Sequence, residues 1–118
     1  MGINFAKRIN EFYDLHWSYH GFHYFRKKLA KEIGIELDNM EGFGGGIPWD
    51  KINDSIKKLI NHSDCDGYLS PDDCRIIYPR LLELVKNWNN DDYDKIKAIK
   101  LAEAMKDCSD NDFFLDFM

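Results

Sequence analysis

Apolar residues recur at three- and four-residue spacing over much of the chain, and that period predicts helices. The clearest run is Trp17 to Ile33, where Phe22, Phe25, Leu29 and Ile33 make one apolar face. Tyr19, His23 and Arg26 fall on one flank of that face and Ser18 near its centre, with Gly34 following as a C-terminal cap. A second helix is expected from about Asp50, burying Ile52, Ile56, Leu59 and Ile60. A third carries Ile76, Ile77, Leu81, Leu82, Leu84, Val85 and Trp88, and Pro79 within it predicts a kink or break near Tyr78. Asn89-Asn90-Asp91-Asp92 opens a fourth, to about Lys106. A short helix is expected around Phe5 to Tyr13. Residues 34–49, rich in glycine from Gly42 to Gly46, read as a loop. Phe113 to Met118 is too apolar for a free tail and should fold back onto the domain or into a partner. The pattern as a whole predicts a mostly α, single compact domain over 1–118, with about four helices.

Between the second and third helices lies His62-Ser63-Asp64-Cys65-Asp66-Gly67-Tyr68-Leu69-Ser70-Pro71-Asp72-Asp73. Its outline resembles an EF-hand calcium loop, making residues 50–88 an EF-hand-like helix-loop-helix. Asp64 and Asp66 take positions 3 and 5, Gly67 position 6, Tyr68 position 7 through its carbonyl, Ser70 position 9 and Asp73 position 12. Calcium is thus the candidate metal. Two departures weigh against it. His62 stands where a carboxylate belongs, and Asp73 is shorter than the usual bidentate Glu. The competing reading is a plain turn, with Asp64 and Asp66 bonding nearby backbone, and Ser70 capping a helix that starts at Pro71.

Composition narrows the partners. The chain has 118 residues, 44% hydrophobic and 14% aromatic, which favours a packed core over disorder. Its net charge of −5 disfavours non-specific binding to duplex nucleic acid. Locally, Arg26, Lys27, Lys28 and Lys31 leave anion binding open. No apolar run approaches the roughly 20 residues that cross a bilayer, so no membrane partner is expected. Three cysteines, Cys65, Cys74 and Cys108, are an odd number without a signal peptide and point to free thiols in a cytoplasmic setting. With His62 they have the composition of a zinc set, but no paired-cysteine spacing. Cys65 with His62 likewise has the residue types of a nucleophile and base, without an oxyanion hole or local signature.

The remaining candidates converge on a ligand site. The guanidinium of Arg26 and imidazole of His23 suit phosphate, while Tyr19 and Trp17 offer rings for stacking, with Ser18 beside them. Phe43, Gly44 and Gly45 supply an aromatic and close-approaching backbone amides, and Trp49 a further wall. His62, Asp64 and Asp66 would read polar groups such as ribose hydroxyls. For each residue the plainer reading is a solvated flank, a turn or core.

Trp17-Ser18-Tyr19 with Gly21-Phe22 and Phe25-Arg26, taken together with Asn61-His62-Ser63-Asp64-Cys65-Asp66-Gly67, resembles a family of small, uncharacterised phage and bacterial proteins. The resemblance implies a phage or prophage setting, with the host cytoplasm as compartment. The first expectation is therefore a non-enzymatic phage-type binding protein, plausibly homo-oligomeric, that sequesters a small anionic ligand such as a nucleotide immune signal. The second is a protein-protein inhibitor of a host defence factor, acting through the acidic surface and the apolar end. The third is a calcium-dependent module built on Asp64, Asp66, Tyr68, Ser70 and Asp73.

Overall fold

The computed structural model describes residues 2–7, 11–64 and 66–118. Its first surprise is at the two ends, which form strands. β1 (Ile3–Lys7), β2 (Glu11–Trp17), β3 (Tyr68–Leu69) and β4 (Leu115–Phe117) make one antiparallel sheet in the order β2-β1-β4-β3. Four helices accompany it: α1 (Tyr19–Glu32), α2 (Lys57–Ile60), α3 (Pro71–Val85) and α4 (Tyr93–Asn111). The fold is therefore α/β, and the expectation of a mostly α, all-helical domain is corrected.

The physical reason is a period of two. Leu115 and Phe117 point into the core while Asp116 is only half buried, and Ile3 and Phe5 do the same in β1. In β2, Leu15 and Trp17 are buried while Asp14 and His16 are exposed. The helix expected around Phe5 to Tyr13 is thus replaced by two paired strands, with residues 8–10 outside the described part. Pairing slips between Asn4 and Ala6, where β2 carries the extra residues of a bulge.

The sheet's inner face packs on the helices in one apolar cluster. Ile3, Phe5, Trp17, Leu69, Leu115 and Phe117 meet Phe22, Phe25 and Leu29 of α1, Ile77 and Leu81 of α3, and Leu101 and Met105 of α4. Aromatic rings fill its centre: Phe5 meets Phe117 edge-on at 4.9 Å, and Trp17 stacks on Phe25 at 4.6 Å.

α1 follows its sequence pattern closely. The Ser18 hydroxyl caps it by accepting from the Gly21 amide at 2.9 Å, and Gly34 follows at φ 79°. The helix expected from Asp50 contracts to a 3-10 turn at Trp49–Lys51 and the single turn α2, though Ile56, Leu59 and Ile60 are buried as expected. With no full entering helix, the EF-hand-like helix-loop-helix is not formed. α3 runs through Pro79 uninterrupted; Pro79 and Arg75, whose carbonyl loses its partner, both lie on the exposed side. α4 extends beyond Lys106 to Asn111, and it ends at Asp112 in the left-handed conformation. Among the described residues, no helix is long and apolar enough to cross a membrane.

Candidate functional site

Arg26 organises the site. It projects from α1 toward the turn that follows α2, and it is 4% exposed. Its Nη1 donates to the carbonyls of Ile60 at 3.2 Å and His62 at 2.6 Å, while Nη2 stands 4.0 Å from the Asp64 carboxylate. The guanidinium lies between rings, 4.8 Å from Phe22 and 5.1 Å from Phe43. Burial pulls its pKa down from the ordinary arginine value, and Asp64 opposes that pull. Its buried Nε has no hydrogen-bond partner among the described residues. A buried charge held by carbonyls and one distant carboxylate is under-neutralised, which favours a nearby anion.

A cleft of about 510 Å³ opens beside it, lined by His23, Arg26, Gly42, Phe43 and the 61–64 turn. α1 places His23 three residues before Arg26, on the same flank. Phe43 is carried there by a glycine-rich turn that folds on itself, its amide donating to the Met40 carbonyl at 3.0 Å. Gly45 makes that turn possible: a Cβ there would lie 2.1 Å from the Asn39 carbonyl carbon, a contact no side chain permits. The rings of His23 and Phe43 stand 6.3 Å apart and nearly parallel, at 27°.

His62 forms the far wall. Its ring stacks on Phe117 at 3.8 Å, and its two nitrogens face the carbonyls of Ser63 at 2.8 Å and Tyr68 at 3.0 Å. The imidazole therefore lies over Gly67, whose φ of 89° closes the turn. This arrangement bears directly on calcium. The Tyr68 carbonyl that a cation would need already faces His62. Asp73 accepts from Lys58 at 2.8 Å and closes a reciprocal capping box with Ser70. Burial opposes ionisation of Asp73, but Lys58 and Ser70 prevail and hold its carboxyl below the ordinary range. Among the described residues, no group of three or more His, Cys, Asp or Glu is placed to hold a metal. Millimolar calcium is accordingly expected to leave the melting temperature unchanged. A rise reversed by chelator would refute this, because a ligand that binds only the native state must stabilise it.

The other candidates separate. Trp17 is 1% exposed and donates from Nε1 to Asp94 at 3.2 Å, so it belongs to the core. Ser18 is committed as a cap. Tyr19 opens α1, partly exposed and outside the cleft lining. Trp49 is buried behind Phe43, donating to the Glu41 carbonyl at 2.8 Å. The Gly45 amide donates to Met40, which removes it from any anion, and Gly44 lies away from the lining. Asp66 lies across the turn, in a second cleft. The cleft thus gathers His23, Arg26, Phe43, His62 and Asp64, and adds Gly42, Asn61 and Ser63, to which the sequence assigns no binding role.

One cluster was not anticipated at all. The Tyr13 hydroxyl donates to Asp107 at 2.7 Å and lies 3.4 Å from the Cys108 sulfur, while Lys7 donates to Asp107 at 2.9 Å. The Cys108 thiol is drawn down to about 7, first by the Cys74 thiol and, against burial, by the Tyr13 hydroxyl. These residues lie about 100 positions apart, and the β2 bulge that aims Tyr13 leaves no mark in the sequence. Cys108 itself is fully buried.

The chain matches no family model, no curated protein and no solved structure. What the cleft does must be argued from its own chemistry.

Proposed function

We propose that the protein is a non-enzymatic binding protein that captures a small anionic ligand, a nucleotide by its chemistry, in the cleft beside Arg26. The observation that carries this reading is the under-neutralised guanidinium of Arg26 at the base of a cleft walled by His23, Phe43 and His62. Arg26 supplies positive field, His23 a reachable contact to phosphate, and Phe43 an aromatic face for a base. Asp64 is placed to accept from ribose hydroxyls. In the phage setting implied by the two motifs, such capture would withdraw a host signal nucleotide from circulation.

Thermal shift and calorimetry with a nucleotide panel test the reading. A stabilising nucleotide is expected, recovered unaltered after hours of incubation. His23→Ala is expected to weaken binding about tenfold or more, the loss of roughly one charged hydrogen bond. Its melting temperature should fall by only a few degrees, because the half-buried ring gives up a contact with Phe43 and no buried charge or core side chain. No shift with any nucleotide at millimolar concentration would sink the proposal. Recovery of a cleaved nucleotide would replace it with an enzyme.

A further inference from the structure

The Asn61–Ser63 turn is the shared wall of two clefts. On its other side lies a second one of about 480 Å³, whose lining includes Lys58, Asp66, Gly67, Tyr68 and Asp73. The two clefts repeat the same kinds of group. Each has a cation (Arg26, Lys58), an aromatic ring (Phe43, Tyr68) and a carboxylate (Asp64, Asp66). Each also has a glycine in the left-handed region, Gly42 at φ 88° and Gly67 at φ 89°. Asn61, His62 and Ser63 border both clefts. Arg26 bonds the His62 carbonyl from one side, and the Tyr68 carbonyl meets the His62 ring from the other.

We propose that the two clefts form one composite site for a dinucleotide, with one base against Phe43, the other against Tyr68, and the linking phosphate crossing the Asn61–Ser63 ridge. This inference rests on the nucleotide reading above and names the ligand class. Tyr68 is 60% exposed and meets Phe114 only edge-on, at 5.0 Å and 75°, which leaves a ring face for stacking. At the first cleft, a base between two rings needs about 7 Å, twice the ~3.5 Å carbon contact distance. His23 and Phe43 stand 6.3 Å apart, so a small swing of the half-buried imidazole opens the slot. Lys58 pairs with Asp73 yet keeps 60% of its side chain exposed, within reach of a phosphate on the ridge. The net charge of −5 opposes a long polyanion. Joining the two bases turns the second stacking event into an intramolecular one, at an effective concentration of about millimolar.

The test is calorimetry with linear and cyclic dinucleotides of the four common bases, each beside its mononucleotide and a single-stranded 12-mer. At least one dinucleotide is expected to bind once per chain and at least tenfold tighter than its mononucleotide. Tyr68→Ala, a surface change verified by unaltered circular dichroism, should erase that advantage, whereas His23→Ala should weaken mono- and dinucleotide alike and leave the ratio between them unchanged. Equal binding of mono- and dinucleotide, or an advantage that survives Tyr68→Ala, overturns the composite site while leaving the single-cleft reading intact. Tighter binding of the 12-mer overturns it in favour of a nucleic-acid strand. Binding of no nucleotide removes both readings together.

Discussion

Removal of residues 113–118 is expected to unfold the whole domain. β4 is an inner strand: it pairs with β1 through Phe5–Phe117 and Lys7–Leu115, and with β3 through Tyr68–Asp116 and Leu69–Leu115. Its loss strips the sheet of the strand that joins β3 to the rest. Leu115 and Phe117 are buried to within 2%, and each side chain removed from the core costs about 1.5–3 kcal/mol in transfer alone. The voids left behind and the unpaired ladders of β1 and β3 add several more. Against a typical total of about 5–15 kcal/mol, little stability remains. Circular dichroism should show loss of the cooperative melt, and a truncated chain that still melts cooperatively would show that β4 is dispensable. The result also bears on the inhibitor idea. Tail deletion does not isolate a docking segment, because the tail is part of the core.

Arg26→Ala is expected to be the most damaging single substitution in the cleft, lowering the melting temperature by about 10–20 °C. It leaves the Ile60 and His62 carbonyls without their donor and opens a void between Phe22 and Phe43. Breaking a buried charged arrangement from one side costs about 3–5 kcal/mol, and each kcal/mol is worth roughly 4 °C in a domain of this size. Arg26→Met separates the contributions. It keeps apolar contact with both rings, so its deficit measures the two carbonyls, and differential scanning calorimetry of both variants reads the difference. A shift under about 3 °C for Arg26→Ala would mean the turn after α2 holds itself. The expected collapse has a practical consequence: lost ligand binding in Arg26→Ala does not by itself assign Arg26 to the ligand. His23 carries that assignment because its side chain gives up only ring contacts with Phe43 and Tyr24, not a buried charge.

The helices were legible and the sheet was not, for one physical cause. α1 announces itself through Phe22, Phe25 and Leu29, since every partner in the pattern lies within one turn. β4 offers only Leu115-Asp116-Phe117, one alternation, and its β1 partners are about 110 residues upstream. The alternation of Tyr13, Leu15 and Trp17 was readable, but a helix reading of Phe5 to Tyr13 absorbed its start. The same distinction runs through the site. His23 and Arg26 line one cleft because helical spacing fixes their relation, and His62 and Asp64 join them because they share a turn. Trp17 takes the core reading and not the stacking one, a choice the sequence leaves open because a tryptophan beside a basic strip looks the same whether it faces solvent or Phe25. The closing of Phe43 over Arg26 depends on Gly45 crossing Asn39, which no local pattern states.

Met118 donates its amide to the Asn4 carbonyl at 2.8 Å, so the first and last strands lie side by side. During synthesis, β1 leaves the ribosome on the order of ten seconds before its neighbour β4, at ~5–20 residues per second. Until then Phe5 has no Phe117 to meet, and only the β1–β2 pair is there for the helices to pack on. Pairing of β1 with β4 therefore closes only after every helix between them has been made, which makes this contact the one of highest sequence separation in the sheet.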